Sequence, residues 1–212
     1  MTAAISLLPT VESRANAAQI APSTFGSHTV VTDFDSGFPP YNHFINGPLV
    51  VNGNTYTGDR NSLRYDPGFG STIGRNEGGL SNNYALGFID VVLGTGAKRA
   101  GGYTGGTAPN AINPARVRVD FFDELDQLLG SVTEEAGFKQ GFFAGWEAEQ
   151  GLIKRVRFNA LVETGSVLII DDFMTEAATV TPPRSVPEPT SIVGLMVLGM
   201  ALSWSCRQQQ FI

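Results

Sequence analysis

The chain has 212 residues, of which 42% are hydrophobic and 16% are charged, and its formal net charge is −6. This length fits one domain with appended segments and is too short for two domains of full size. Aromatic and β-branched residues along the central part exclude a disordered protein, the single cysteine excludes an intrachain disulfide framework, and the acidic balance argues against a nucleic-acid partner.

Residues 1–18 have some features of a secretory signal peptide. Residues 3–8 are apolar, and Ala15-Asn16-Ala17 has the small-x-small pattern of a cleavage site. No Lys or Arg precedes the apolar stretch, which is shorter than a usual signal-peptide hydrophobic region. We interpret residues 1–18 as part of a longer signal peptide that is cleaved after Ala17; a disordered tail is the alternative.

Residues 19–179 form the predicted body of the protein. Short β-branched and aromatic runs alternate there with Gly, Asn, Pro and Asp, which is typical of an all-β sandwich. The predicted strands are residues 28–34, 49–51, 54–57, 84–93, 116–122, 128–133, 141–146, 153–161 and 167–174. This number of strands in one unit fits a jelly roll, whose two packed sheets limit the exposed edges.

Two segments of the body are rich in glycine or turn-forming residues. Asn52-Gly53 predicts a type I′ turn that joins two apolar runs into a hairpin. Six glycines between Gly94 and Gly106 predict a mobile loop.

Four aspartates predict a calcium site. Asp33 and Asp35 alternate on the opening strand, and Asp171 and Asp172 end the closing strand. The terminal strands of a jelly roll are commonly neighbours, so these carboxylates would converge and would repel one another without a cation. Calcium accepts about six to eight oxygen ligands in a flexible geometry. The alternative is that all four are ordinary turn and strand-end residues.

Residues suited to catalysis are scarce. Two histidines and one cysteine do not supply a zinc site, and no G-x-S-x-G motif supports a Ser-His-Asp triad. Glycosidases need two carboxylates across a cleft, whereas the acidic residues of one predicted hairpin fit a solvated edge that discourages edge-to-edge pairing. These acidic residues are Asp120, Asp123, Glu124, Asp126, Glu134 and Glu135. We expect a protein without catalytic activity; a polysaccharide hydrolase is the less favoured alternative.

Aromatic residues in or near loops support a third possibility, a carbohydrate-binding, lectin-like module. Rings can stack on sugar faces while amide side chains bond to hydroxyl groups, although loop aromatics also cap the ends of sandwich cores. The aromatic residues are Phe38, Tyr41, Phe44, Tyr56, Tyr65, Phe69 and Tyr103, and nearby amides are Asn42, Asn46, Asn61, Asn82 and Asn83.

The C-terminal segment is built differently from the body. Residues 180–189 form a proline-rich spacer that cannot hold a helix. Residues 190–206 contain no charged residue, and Arg207 follows directly. At about 1.5 Å per residue this run gives roughly 25 Å of helix, at the short end of what spans a bilayer. We predict one transmembrane helix within residues 190–212; a buried core helix is the alternative.

The spacer ends in Val186-Pro187-Glu188-Pro189, which precedes the apolar run and Arg207. This combination resembles the PEP-CTERM sorting signal, also called the ice-binding protein C-terminal domain. The resemblance implies a bacterial exported protein that an exosortase recognises and cleaves near the Pro-Glu-Pro motif. Tails of this family usually carry several Arg or Lys residues, whereas Arg207 stands alone here.

Three segments of the body, residues 117–133 (VRVDFFDELDQLLGSVT), 156–158 (VRF) and 169–173 (IIDDF), share a second pattern. They resemble the jelly-roll domains often found ahead of PEP-CTERM tails, in which FFD-x-x-G-x-L-L-G forms a hairpin and I-D-D-F the final strand. Asp126 stands where that hairpin usually has glycine, and Asp tolerates a left-handed conformation better than most residues. The resemblance implies a carbohydrate-binding-like sandwich without a defined ligand.

We therefore predict a non-enzymatic, exported β-sandwich protein of the bacterial envelope or extracellular surface. Its expected partners are an exosortase, the membrane that its C-terminal helix crosses before processing, and extracellular polysaccharide.

Overall fold

A computed structural model describes residues 18–35, 37–39, 41–75, 78–82, 87–106, 115–137, 139–161 and 167–178. Strands make up most of this part of the chain. In chain order the strands are β1 (Ala18–Gln19), β2 (Val30–Thr32), β3 (His43–Asn46), β4 (Leu49–Val51), β5 (Asn54–Gly58), β6 (Ser62–Asp66), β7 (Gly79–Ser81), β8 (Gly87–Ala97), β9 (Arg99–Gly106), β10 (Ala115–Phe122), β11 (Leu128–Ala136), β12 (Phe142–Glu147), β13 (Ile153–Ala160) and β14 (Leu168–Glu176). The helical elements are the four-residue helix α1 (Phe69–Thr72) and the 3-10 turns Pro22–Thr24 and Asp59–Asn61. The all-β class that the sequence predicts is confirmed for these residues.

The strands form two antiparallel sheets. Sheet A has the order β1-β12-β9-β14-β7-β6-β3, with β2 also paired to β14, and sheet B has the order β11-β10-β13-β8-β5-β4. From β7 to β10 consecutive strands alternate between the sheets, and they alternate again from β11 to β14. The two sheets of this β-sandwich therefore take their strands alternately from the same stretches of the chain.

The hydrophobic core lies between the two sheets. In β13, Val156 and Phe158 are fully buried while their strand neighbours are only half-buried, because alternate side chains point to opposite faces of a sheet. Phe173 of sheet A receives edge-on contacts from Tyr56 and Phe158 of sheet B, with ring centroids 6.0 and 6.2 Å apart. Such edge-to-face pairs add stability to the apolar area that they bury.

The mobile loop predicted between Gly94 and Gly106 is wrong. β8 continues to Ala97, and β9 lies in the middle of sheet A between β12 and β14. The glycines of β9 give neighbouring groups room: a Cβ on Gly101 would lie 2.6 Å from the Ala144 carbonyl oxygen, and one on Gly105 would lie 2.8 Å from the Ile73 side chain. These glycines serve close packing, which composition alone does not distinguish from flexibility.

Three local predictions are confirmed. Asn52 and Gly53 have φ values of 50° and 76°, as a type I′ turn requires, and they join β4 to β5. Asp126 has a φ of 60° at the position where the resembling hairpin has glycine. The opening and closing strands pair, since Thr32 of β2 lies opposite Phe173 of β14.

Residues 1–17 of the predicted signal peptide, and the spacer and sorting tail with Val186, Pro187, Glu188, Pro189 and Arg207, lie outside the described residues, whereas Ala18 begins β1. Among the residues that are described, none belongs to a helix with the length and apolar character to cross a membrane.

Candidate functional site

The outer face of sheet A is partly covered by the protein's own chain. Phe25, from the N-terminal segment, packs edge-on against Phe143 of β12 with ring centroids 5.9 Å apart. Near the α1 end of the sheet, Phe69 and Ile73 form a small cluster with Ile169 of β14. The outer face of sheet B carries exposed side chains, among them Arg118 and Val92.

The outer face of sheet B carries three parallel rows of side chains, set by the register of the strands. The carboxylate row consists of Ser131, Asp120, Arg157, Asp90 and Thr57 on β11, β10, β13, β8 and β5. The amide row consists of Thr133, Arg118, Asn159 and Phe88. The apolar row consists of Leu128, Phe122, Arg155, Val92 and Thr55.

The carboxylate row is held together by charged hydrogen bonds. Arg157 donates to both carboxylate oxygens of Asp90, with Nε 2.8 Å from Oδ1. Asp120 accepts bonds from the Ser131 hydroxyl and from Asn159 Nδ2, the latter at 2.9 Å. The Asp90 and Asp120 side chains are only 12% and 6% exposed, so the row is fixed within the fold. The hydrogen bond that Arg157 donates to Asp90 is the largest cause that raises the pKa of Arg157.

Two arginines of this face lie over aromatic rings. The Arg155 guanidinium carbon is 3.7 Å from the centre of the Phe122 ring, and that of Arg157 is 4.3 Å from the centre of the Phe88 ring. Arg155 also bonds to Asp90 at 3.0 Å and to Asp126, in the β10–β11 turn, at 2.6 Å. Ring and carboxylate together hold each guanidinium plane in one orientation.

The amide row keeps hydrogen-bonding groups available. Arg118 bonds to Asp120 through Nε at 3.0 Å, and its side chain is 47% exposed. Asn159 uses its Nδ2 group as a donor. Among the described residues no hydrogen bond engages the Arg118 Nη groups, the Asn159 Oδ1 atom or the exposed Thr133 hydroxyl. Donors and acceptors therefore stand side by side, with Asp120 supporting two of the three side chains.

The four aspartates predicted to bind calcium lie on and beside sheet A. Asp35 and Asp171 are close enough that the charge of Asp35 raises the pKa of Asp171, whereas Asp33 accepts a bond from the Asp35 backbone N–H at 3.2 Å. Asp35 accepts the Gly78 N–H at 2.7 Å, and Asp172 is paired with Arg75. Within the described part of the chain, no group of three or more His, Cys, Asp or Glu residues is arranged to hold a metal ion. Calcium binding by these aspartates stays a prediction.

Asp171 is a buried carboxyl group with a raised pKa. It is 2% exposed, and burial is the largest cause that raises its pKa from 3.8 to about 8. The charges of Asp172 and Asp35 act in the same direction, while the Asp172 N–H and Arg75 act against it. Tyr65 lies nearby, and its own pKa is raised by burial and by the charge of Asp35.

The loop aromatics proposed from the sequence are mostly structural. Tyr56, Tyr65 and Phe69 are buried, Phe38 stacks on Tyr65 with ring centroids 4.8 Å apart, and Tyr103 is half-buried beside Phe143. Tyr41 and Phe44, 64% and 59% exposed, lie beside and on the edge strand β3 of sheet A. None of these rings lies on the outer face of sheet B.

Sequence reasoning missed most of the sheet B face. It took Asp120 for part of a solvated edge, but β10 is the second strand of sheet B and Asp120 is buried. Glu134 and Glu135 do lie on the edge strand β11, where they are exposed. The available signal was polar alternation within otherwise apolar strands, as in Arg155, Arg157 and Asn159.

No protein-family model and no curated protein match the sequence. Solved structures with similarity include a family 61 carbohydrate-binding module in complex with β-1,4-galactotriose, at 16% identity and a TM-score of 0.41 over 59% of this chain and 89% of that one. The K2 cleaved adhesin domain of Lys-gingipain has 11% identity and a TM-score of 0.45 over 72% of this chain and 100% of that one. A family two carbohydrate esterase from Cellvibrio japonicus has 8% identity and a TM-score of 0.34 over 76% of this chain and 36% of that one. At these scores the likenesses carry no argument about what this chain binds or does.

Proposed function

We propose that this protein binds polysaccharide through the outer face of sheet B and has no catalytic activity. The observation that carries the proposal is the set of fixed, partly buried donors and acceptors in the carboxylate and amide rows. Neighbouring strands lie about 4.8 Å apart, so a row across five strands is roughly 19 Å long. That length suits an extended chain of sugar units better than a small ligand.

The chemistry of the face matches the chemistry of a polyol. Each sugar hydroxyl donates one hydrogen bond and accepts others, so it needs protein acceptors and donors at close spacing. The amide row offers the Asn159 Oδ1 acceptor next to the Arg118 donors. Because Asp120 already holds both side chains, little conformational entropy is lost when a ligand binds.

The hydrogen bonding of the carboxylates on this face supports binding without hydrolysis. A glycosidase needs a carboxylic acid that can protonate the glycosidic oxygen. Asp90 and Asp120 each accept several bonds from arginine, amide or hydroxyl groups of their own chain. Asp171, whose pKa is raised, is buried on sheet A, away from this face.

We also infer that the sandwich is a jelly roll. Its central strands follow the orders β7-β14-β9-β12 and β8-β13-β10-β11, four in each sheet. Successive strands of this set cross between the sheets, except for the β10–β11 hairpin within sheet B. This wrapping agrees with the two Greek keys of a jelly roll.

For the C-terminal segment we propose sorting by an exosortase to the bacterial surface. The support comes from the sequence, in which Pro187-Glu188-Pro189 precedes an uncharged run and Arg207. In this proposal the tail anchors the exported protein in the membrane until it is processed, and the body then contacts extracellular polysaccharide.

The binding proposal is tested with the full chain in a detergent that contains no sugar, by electrophoresis through gels that contain single polysaccharides. We expect retardation in at least one gel, and Arg118→Met should weaken binding about tenfold or more because it removes charged donors. Arg64→Met is the matched control: Arg64 also pairs with the aspartate two residues ahead, at 3.3 Å, but it lies in β6 of sheet A. Equal loss in both variants, or no retardation in any gel, would contradict the proposal.

A further inference from the structure

The ion-paired groups on the outer face of sheet B neutralise one another. Arg118 pairs with Asp120, Arg157 with Asp90, and Arg155 with both Asp90 and Asp126. These three guanidinium groups and three carboxylates sum to zero charge, and the exposed Arg116 and Glu135, opposite each other on β10 and β11, add one charge of each sign. This balance contrasts with the whole chain, whose formal net charge is −6.

The pairing also determines what a ligand can reach. An acidic sugar that bonded to the open Arg118 Nη groups would place its own carboxylate near Asp120, which is paired with the same guanidinium group. Like charges brought together in this way weaken binding and select against the ligand. A neutral polyol meets no such penalty, because it can bond to the groups that the ion pairs leave open.

Those open groups belong to the amide row. The Thr133 hydroxyl, the Arg118 Nη groups and the Asn159 Oδ1 atom lie on three adjacent strands, since Arg118 is opposite both Thr133 and Asn159. They offer donors and an acceptor in one line, and the Phe88 ring continues that line on the fourth strand. Asp120, in the adjacent carboxylate row, holds Arg118 and Asn159 in position.

We infer that the outer face of sheet B selects uncharged polysaccharides and reads their hydroxyl groups through Thr133, Arg118 and Asn159. This inference rests on the proposed polysaccharide binding and adds the class of ligand and the residues that recognise it. It makes the paired aspartates specificity-determining residues, because each one places a negative charge beside an arginine that would otherwise attract an anion.

The experiment compares neutral with acidic polysaccharides on the full chain in sugar-free detergent. The neutral probes are dextran, laminarin, xylan, mannan and galactan, and the acidic probes are alginate, polygalacturonate and chondroitin sulfate. We expect binding to at least one neutral probe that changes less than about twofold between roughly 0.05 and 0.5 M salt, because screening acts on charges and not on polyol contacts. For any acidic probe that binds, its carboxyl-reduced form is tested beside it.

Two variants locate the contact without disturbing the core. Thr133→Val, at an exposed position of the edge strand, should weaken neutral binding about three- to tenfold through the loss of one hydrogen bond. Asp126→Asn keeps a residue suited to the left-handed φ of 60° and removes one carboxylate that is 69% exposed. It should give new binding to polygalacturonate that disappears at high salt.

The outcomes separate the two levels of the proposal. Preference for an acidic probe over its carboxyl-reduced form overturns the inference and leaves polysaccharide binding in place. Neutral binding that Thr133→Val leaves unchanged overturns the assignment of the amide row. An Asp126→Asn variant that gains no acidic ligand overturns the role of the aspartates. If no probe binds, the proposed function itself fails.

Discussion

Replacing Asp171 by Asn removes a buried carboxyl group from the last strand of sheet A, and we expect the variant to be more stable than the wild type at alkaline pH. Asn keeps a side-chain oxygen for the Asp172 N–H, which bonds to Asp171 Oδ1 at 2.7 Å. The substitution removes a charge that is shielded from solvent and that is repelled by the charges of Asp172 and Asp35. Arg75, paired with Asp172, offsets only part of that repulsion.

The direction of the pH dependence follows from the raised pKa. In the folded protein the pKa of Asp171 is about 8, against 3.8 for the ordinary group. Between these values the folded state binds the proton and the unfolded state does not, so stability falls as the pH rises from about 4 to about 8. At about 1.36 kcal/mol per pH unit the full interval gives an upper bound near 6 kcal/mol. Relaxation of the protein around the charged form lowers this upper bound. We therefore expect the variant to be about 3 kcal/mol more stable than the wild type, which corresponds to roughly 6–12 °C in Tm.

The assay follows thermal unfolding of both proteins by circular dichroism from pH 4 to pH 9 in EGTA. The difference in Tm cancels the titration of other groups; it should be near zero at pH 4, grow with pH and level off above pH 8. A difference that does not change with pH would show that the Asp171 charge is solvated or paired. An Asn variant that is less stable than the wild type at pH 9 would refute the reasoning entirely.

Four further results are expected. If the aspartates bind calcium, a calcium concentration a hundred times the Kd should stabilise the wild type at pH 8 by about 2.7 kcal/mol, magnesium should do less, and Asp171→Asn should abolish the effect; equal melting points in EGTA and calcium would remove the calcium site. Mass spectrometry of exported protein should find Ala18, the first residue of β1, at the N-terminus, and an intact residue 1 would contradict cleavage after Ala17. A chain of residues 19–179 should be soluble and unfold cooperatively; aggregation of this chain, with well-ordered full-length protein, would mean that the tail belongs to the core. Gly130→Ala should lower Tm by several degrees, because its Cβ would lie 2.0 Å from the Trp146 ring, whereas Gly37→Ala has open space around its Cβ and isolates the cost of a positive φ.

The longer strands of this fold could be predicted because alternation and turn chemistry act locally. Residues 153–161 are predicted as a strand, and the structure forms β13 over Ile153–Ala160 with its apolar side chains inward. The short strands β3, β6 and β7 were not predicted, since three to five residues carry too little pattern and are held by their partners. β9 is long enough to carry a pattern, but its glycines suggested a loop. Their role is visible only in the structure, where side chains and carbonyl groups of other elements approach them closely.

The candidate site could not be predicted in the same way, because its unit is a row that crosses strands. Arg118 and Asp120 are two residues apart in the sequence, but Asn159 and Ser131 reach Asp120 only through the register of β13 and β11 against β10. A shift of one residue in either register would point Asn159 or Ser131 into the core. The buried Asp120 carboxylate would then lose that hydrogen-bond donor. The same ion pairs that look like ordinary surface charges in the sequence thus depend on the fold, and they fix the side chains from which we infer the ligand.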